Sequence, residues 1–301
     1  MTTPAAPILA ATDFSTLSRH AADRAARLAR ESGAALSLIH VTSAGALQEL
    51  RQWLGAGHAM EQQLLAGAQA QLAALADTLA AQHAVSVRTV EAAGAVPEIV
   101  EDELRRLGAG LLVLGARGAG FLRRLVLGTT SERLLRRSHC PVLLVRQPAH
   151  ASYRRILVGL DQSPVAMQVL AVARRVAPAA RPVLLSAYQV PFQEELRFAG
   201  VDAATVEHYR HQARLRATQH LHTVATHAGL APGDYEALIT EGDASQRIVE
   251  YELDCDLVVL GKHGHSTVED LLLGGVNQHV LAEGRVDMLV APTTTAAASA
   301  A

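Results

Sequence analysis

Gly115, Gly118 and Gly128, the last followed by Thr129, Thr130 and Ser131, are the residues of this chain whose types and spacing suit contact with an anion. Glycine lets the backbone take positive φ and approach a ligand closely, and a helix N-terminus offers unpaired N–H groups to negative charge. The pattern G-x2-G-x9-G-T lies between the apolar run Leu111 to Gly115 and the helical start "TTSERLL". Two familiar phosphate loops do not fit it. A dinucleotide fingerprint puts G-x-G-x-x-G directly after the first strand, and a Walker A loop needs G-x-x-x-x-G-K-[ST]. Here the glycines follow the fourth apolar run, and nothing of Walker form precedes Lys262, the one lysine in the sequence.

The spacing returns at Gly261, Gly264 and Gly274, 146 positions later. With glycine near its usual ~7%, a single match of this kind is expected by chance roughly 0.1 times in a chain of this length, so a second copy marks a repeat. "PILAATDFSTLSRHAADRAARLA" is likewise answered by "RILVGLDQSPVAMQVLAVARRVA". In each, an apolar run ends in Asp13 or Asp161, a serine follows within two residues, and an alanine-rich helix begins. Ligands of open α/β sheets sit beyond the carboxyl ends of the strands, which is where these aspartates and both glycine loops belong.

The elements that position these residues read off the hydrophobic pattern. Strands are expected at Pro7 to Thr12, Ala35 to Val41, Val85 to Val90, Leu111 to Gly115 and Pro141 to Val145. The second half repeats the order at Ile156 to Leu160, Val183 to Ala187, Tyr235 to Thr240, Leu257 to Leu260 and Val286 to Val290. The clearest helix places Leu64, Leu65, Ala68, Leu72, Leu75 and Leu79 on one face. Continuous apolar strands alternating with helices imply an α/β fold with a parallel sheet covered on both faces. Two tandem five-stranded domains result, at 1–147 and 152–292, with "QPAHAS" as linker and the terminal "TTTAAASAA" expected to be disordered.

Composition narrows the partners. A chain of 301 residues, 50% hydrophobic, with a net charge of -2, carries no basic footprint for nucleic acid and no polybasic membrane patch. No apolar run approaches the ~18 residues of a membrane span, and "MTTPAAPILAATDF" lacks signal-peptide features, so a cytoplasmic location is expected. Cys140 and Cys255 suggest buried thiols rather than a disulfide or a metal site. "HYRH" at 208–211 and "HGH" at 263–265 have no cysteine or carboxylate at ligand spacing, and no G-x-S-x-G elbow accompanies the serines.

Four segments carry a resemblance to a known family. They are "TDFS" after the first strand, "IHV" ending the second, G-x2-G-x9-G-T after the fourth, and "SERLLRRSHCPVLLV" at the end of the half. With these the chain resembles the universal stress proteins in their tandem two-domain form. The resemblance implies flavodoxin-like (Rossmann-like) domains with sheet order 3-2-1-4-5, a stress-response role, and binding of ATP with or without Mg2+. It sets Asp13 and Val41 against ribose and adenine, and Gly115, Gly118, Gly128, Thr129, Thr130 and Ser131 around the phosphates, with Thr12 and Arg117 completing the set. It also implies an intramolecular pseudo-dimer of the two domains, or a homodimer, and leaves protein partners unnamed.

The second copy diverges. Asp161, Gly261, Gly264 and Gly274 persist, whereas Gly275 stands where Thr129 stood and Asn277 where Ser131 stood. The nine-residue spacer carries Glu269 and Asp270 in place of Arg123 and Arg124. Phosphate-binding hydroxyls are lost, and a competent first site beside a weakened or altered second one is expected. Thr129 has a structural alternative as N-cap of a capping box closed by Glu132, mirrored by Gly275 and Gln278. Slow ATP hydrolysis or autophosphorylation at Thr129, Thr130 or Ser131 is an enzymatic alternative, although phosphoryl transfer needs a residue to orient the nucleophile and none stands out. A scaffold without nucleotide is the third reading.

Overall fold

Short runs of Leu, Val and Ile become strands here because helices cover them from both sides, and Leu111–Gly115, Val142–Val145 and Asp287–Ala291 are buried at every residue. The computed structural model describes residues 5–54, 58–116, 129–190, 201–262 and 274–292. The chain divides into two units, Met1–Ser152 and Tyr153–Ala301.

The first unit runs β1 (Ile8–Ala11), α1 (Thr16–Ser32), β2 (Leu36–Ser43), α2 (Ala44–Leu54), α3 (His58–His83), β3 (Val87–Gly94), α4 (Val96–Leu107), β4 (Leu111–Gly115), α5 (Thr129–Arg137) and β5 (Val142–Val145). Its strands are parallel, in the order β3-β2-β1-β4-β5. The second unit runs β6 (Arg155–Gly159), α6 (Ala166–Val176), β7 (Arg181–Tyr188), α7 (Ala203–His227), β8 (Glu236–Glu241), α8 (Ala244–Tyr251), β9 (Leu257–Gly261), α9 (Gly275–Glu283) and β10 (Asp287–Ala291). Its order, β8-β7-β6-β9-β10 with all pairs parallel, is the same topology. All ten expected strands form, their ends shifted by no more than four residues.

Helix α1 shows how the sequence sets the layers. Ser15 caps it by accepting from Ser18 N, Gly33 at φ 71° ends it, and Ala21, Ala22, Ala25, Ala26 and Ala29 form a buried face thin enough to lie close on the sheet. The expected linker is held by the same helix. Arg24 donates to Ala151 O at 2.7 Å, Arg27 to Ala149 O at 2.9 Å, and Ser152 Oγ to Glu31 at 2.5 Å.

Helix α3 corrects the expected apolar face. Leu72, Leu75 and Leu79 are buried, Leu65 and Ala68 are half-buried, and Leu64 is 45% exposed. Its 26 residues extend about 39 Å at 1.5 Å each, longer than the eight-residue strand β3 it packs on, so the first half outruns its cover. Among the described residues, Ala59–His83 is long and apolar enough by length and composition to cross a membrane. Its second half instead packs on α1, β2 and β3, and His83 Nε2 lies 2.6 Å from Asp23 Oδ1.

The two cysteines are not joined in a disulfide: Cys255 is buried, which pushes its thiol pKa up against the opposing pull of Arg155, and Cys140 is half-buried near Ser138. His208 and His211 lie on the exposed surface of α7, and among the described residues no group of His, Cys, Asp and Glu is arranged to hold a metal. His263 and His265 lie outside the described residues.

Replacing Leu72 by Ala is expected to cost about 2–5 kcal/mol, the usual penalty for emptying a core leucine. Leu64→Ala should stay within about 0.5 kcal/mol. Urea denaturation followed by circular dichroism measures both.

Candidate functional site

At the carboxyl end of β1 the chain makes a tight, fully bonded turn. Thr12 Oγ1 accepts from Phe14 N at 3.0 Å and lies 3.0 Å from Ser18 Oγ. His40 Nδ1 donates to Thr12 O at 2.8 Å. Phe14 is left-handed at φ 64°, an uncommon state for a bulky residue, and its ring stacks on His40 with centroids 4.4 Å apart. Arg19 Nε donates to Phe14 O at 3.0 Å. This network turns Asp13 outward, where its Oδ1 accepts from Ser15 N at 3.1 Å. Thr12 is buried in the turn, and its backbone N–H donates to Ile39 O at 2.9 Å. Val41 follows His40 on β2 and is half-buried.

The end of β4 is built by close approach. A Cβ on Gly115 would lie 2.8 Å from Ser18 N and 2.9 Å from Leu17 C, so this first motif glycine is what admits the start of α1. Ser131 Oγ donates to Gly115 O at 3.1 Å. Helix α5 begins at Thr129, one residue earlier than a Thr129 N-cap would allow, and Glu132 accepts from Arg136 at 2.7 Å instead of reaching back. Thr130 is exposed in the first turn. Arg117, Gly118, Gly128 and the side chain of Thr129 lie outside the described residues.

The second unit repeats the frame with other side chains. Asp161 Oδ1 accepts from Ser163 N at 3.1 Å and Ser163 Oγ at 2.5 Å, the same turn as at Asp13. Leu160 replaces Thr12, and strand register sets Ser186 and Ala187 where His40 and Val41 stood. Asn277 Nδ2 donates to Gly261 O at 2.8 Å and to Lys262 O at 2.9 Å. The serine-to-asparagine change therefore keeps the bond from helix to strand end. Gly274 is the N-cap of α9, so Gln278 does not hold the capping-box position, and a Cβ on Gly275 would meet nothing within 4 Å. Gly264 lies outside the described residues.

Against this edge lies a cavity of about 340 Å³, walled by Val169, Leu185, Ala187 and Ile248 and reached by Asp161 and Asn277. Helix α8, which supplies Ile248, is capped by Asp243, whose Oδ1 accepts from Ser245 N at 2.9 Å and Gln246 N at 3.2 Å. Hydrogen bonding to Ser245, then the backbone N–H groups and the charge of His279, hold the Asp243 pKa below the usual carboxylate range. That cap contributes fully above the ordinary value near ~4 and is lost as pH falls through the lowered one.

The family model for the universal stress proteins matches residues 5–146 and again 152–292. The chain belongs to the universal stress protein family. Universal stress protein Rv2005c of Mycobacterium tuberculosis is 30% identical over 190 residues, covering 61% of this chain and 62% of that one. The match thus spans somewhat less than two thirds of the mycobacterial relative's length. Universal stress protein YxiE of Bacillus subtilis is 30% identical over 145 residues, 46% of this chain and 97% of that one. The crystal structure of a universal stress protein from Archaeoglobus fulgidus covers 96% of this chain and 99% of its own, with TM-score 0.68 at 16% identity, a likeness of fold.

Sequence reasoning missed Ser18 and His40, which lock the Thr12 turn, and Asp243, which caps α8. "TDFS" and "IHV" contain Phe14 and His40, but their contact crosses from one strand to the next and leaves no spacing signal.

Gly115→Ala is expected to lower stability by about 1–3 kcal/mol through overpacking against the α1 backbone. Gly275→Ala should change it by no more than about 0.5 kcal/mol, or raise it slightly. Differential scanning calorimetry compares the two.

Proposed function

We propose that the first unit binds ATP, alone or as its Mg2+ complex, at the carboxyl edge of its sheet, and that the chain acts in the cytoplasm as a nucleotide-responsive stress protein. The observation that carries this reading is the bond from Ser131 Oγ to Gly115 O. It holds the first turn of α5 beside the end of β4, so the unpaired N–H groups of that turn lie at the edge where the turn bearing Asp13 also opens. The sequence supplies the remaining parts between them: Arg117, Gly118, Gly128 and the pair Arg123 and Arg124.

The residues present fit a nucleotide, with one refinement. The hydroxyls of Thr12 and Ser131 are engaged inside the protein, and the Thr12 backbone pairs with Ile39 O and His40 Nδ1, so Thr12 shapes the turn while Ser131 serves a ligand through the first-turn N–H groups of α5. Asp13 on the ribose, Val41 on the base and the exposed Thr130 with the α5 N-terminus on the phosphates make the set. Bound ATP brings a large negative charge to the edge, and its presence or absence alters the surface offered to other proteins.

A calorimetric titration of the full chain should show one ATP bound per chain. Asp13→Ala should weaken that binding about tenfold or more, with circular dichroism unchanged. Absence of ATP binding, or affinity indifferent to Asp13→Ala, overturns the reading.

A further inference from the structure

Helix α3 has a second face that its own chain leaves open. Met60, Leu64, Gly67, Gln71, Ala74 and Thr78 are all exposed, Met60 and Leu64 at 46% and 45%. Their spacings alternate between four and three, the a/d seam of a coiled coil. This seam is distinct from the buried face at Leu72, Leu75, Ala76 and Leu79.

Two features set it apart from a helix face built for water. The first is charge. Among the 26 residues of α3 only Glu61 and Asp77 are acidic, there is no lysine or arginine, and Glu61 is tied to Arg51 of α2 at 2.7 Å. Helix α7 leads into β8 as α3 leads into β3, and its 25 residues hold Glu207, Arg210, Arg214, Arg216 and five histidines. The duplicated helix thus has the charged surface usual for a solvated one, and α3 does not. The second feature is Gly67. Glycine in a helix interior is less favourable than alanine and is kept where something must approach closely. Nothing in the chain does so, because a Cβ at Gly67 would meet no atom within 4 Å. The approach that Gly67 permits is to a molecule outside the chain.

The order of side chains along the seam says which molecule. Its large residues, Met60 and Leu64, lie at the start, and the small ones, Ala74 and Thr78, at the end. Laid antiparallel on a second copy, the seam sets Met60 opposite Thr78, Leu64 opposite Ala74 and Gly67 opposite Gln71. Each pair joins a d position to an a position, and each larger side chain meets a smaller one, as interdigitation requires. Asp77 falls beside Gln63 of the second copy, so no carboxylates are forced together. One patch meeting itself is the isologous contact of a two-fold dimer. The seam from Met60 to Thr78 is about 27 Å long and one helix diameter of ~10 Å wide. Such a strip stays below the ~1,200 Å² of stable interfaces, which makes the pairing reversible.

We propose that α3 is a self-association surface, on which two copies of the chain pair reversibly through antiparallel packing of Met60 to Thr78. Neither carboxyl edge takes part, so the pairing is independent of ATP binding by the first unit.

Sedimentation velocity of the full chain without nucleotide should show monomer giving way to dimer as concentration rises through the micromolar range. Leu64→Glu and Ala74→Glu bury a charge in the seam, and Gly67→Leu holds the helices apart while favouring the helix itself. Each should weaken dimerisation about tenfold or more, with circular dichroism unchanged. Ala66→Glu, on α3 but outside the seam, should leave it unchanged. Register is read by mixing Leu64→Cys chains with Ala74→Cys chains under diamide, where the mixed disulfide should exceed either homotypic one. A monomer at every concentration, a dimer indifferent to all three seam variants, or dominant Leu64→Cys homotypic cross-links overturns the proposal. Phosphatidylcholine vesicles that capture a chain otherwise monomeric, and lose it on Leu64→Glu, would assign the face to lipid and overturn it as well.

Discussion

A carbonyl at the end of a buried central strand has run out of strand to pair with, and it must find a donor. In both halves that donor comes from the third residue of the following helix: Ser131 reaches Gly115 O and Asn277 reaches Gly261 O. The bond fixes where each helix begins relative to the sheet and leaves the N–H groups of its first turn facing the open edge. Gly115 adds the second condition, because only a residue without Cβ lets the start of α1 close against the same strand end. The open carboxyl edge of each unit rests on the helix-to-strand bond, and in the first unit on Gly115 as well.

A shared frame explains how the halves can differ in ligand without differing in fold. In the first unit the latch is a hydroxyl, the turn after β1 is tied by Thr12, Ser18 and His40, and the sequence between β4 and α5 carries Arg117, Arg123 and Arg124. In the second unit the latch is an amide, Leu160 replaces the threonine, and the sequence between β9 and α9 carries Glu269 and Asp270. Membership of the universal stress protein family accounts for the frame twice over. The side chains hung on it decide what each edge can hold.

Most of the architecture was legible in the pattern of residues. Fully apolar runs such as Leu111 to Gly115 admit little besides a buried parallel strand, and the repeated Asp-x-Ser turns and glycine spacing exposed the duplication. What stayed hidden depends on tertiary geometry. Leu64 shares a helix face with Leu72, yet the sheet stops short of it. Thr129 and Glu132 match a capping box, but the helix starts one residue sooner because its third residue is tethered to the strand. Asn277 read as the loss of a hydroxyl, since residue type alone does not reveal that an amide nitrogen can make the same bond. Parts of the candidate site, Arg117, Gly118, Gly128 and Gly264, lie outside the described residues.

One frame, repeated, is proposed to carry one nucleotide site. Native mass spectrometry of the full chain equilibrated with excess ATP counts the bound molecules directly. A single ATP adduct per chain is expected, and a spectrum showing two ATP molecules per chain, or none, would contradict a single site.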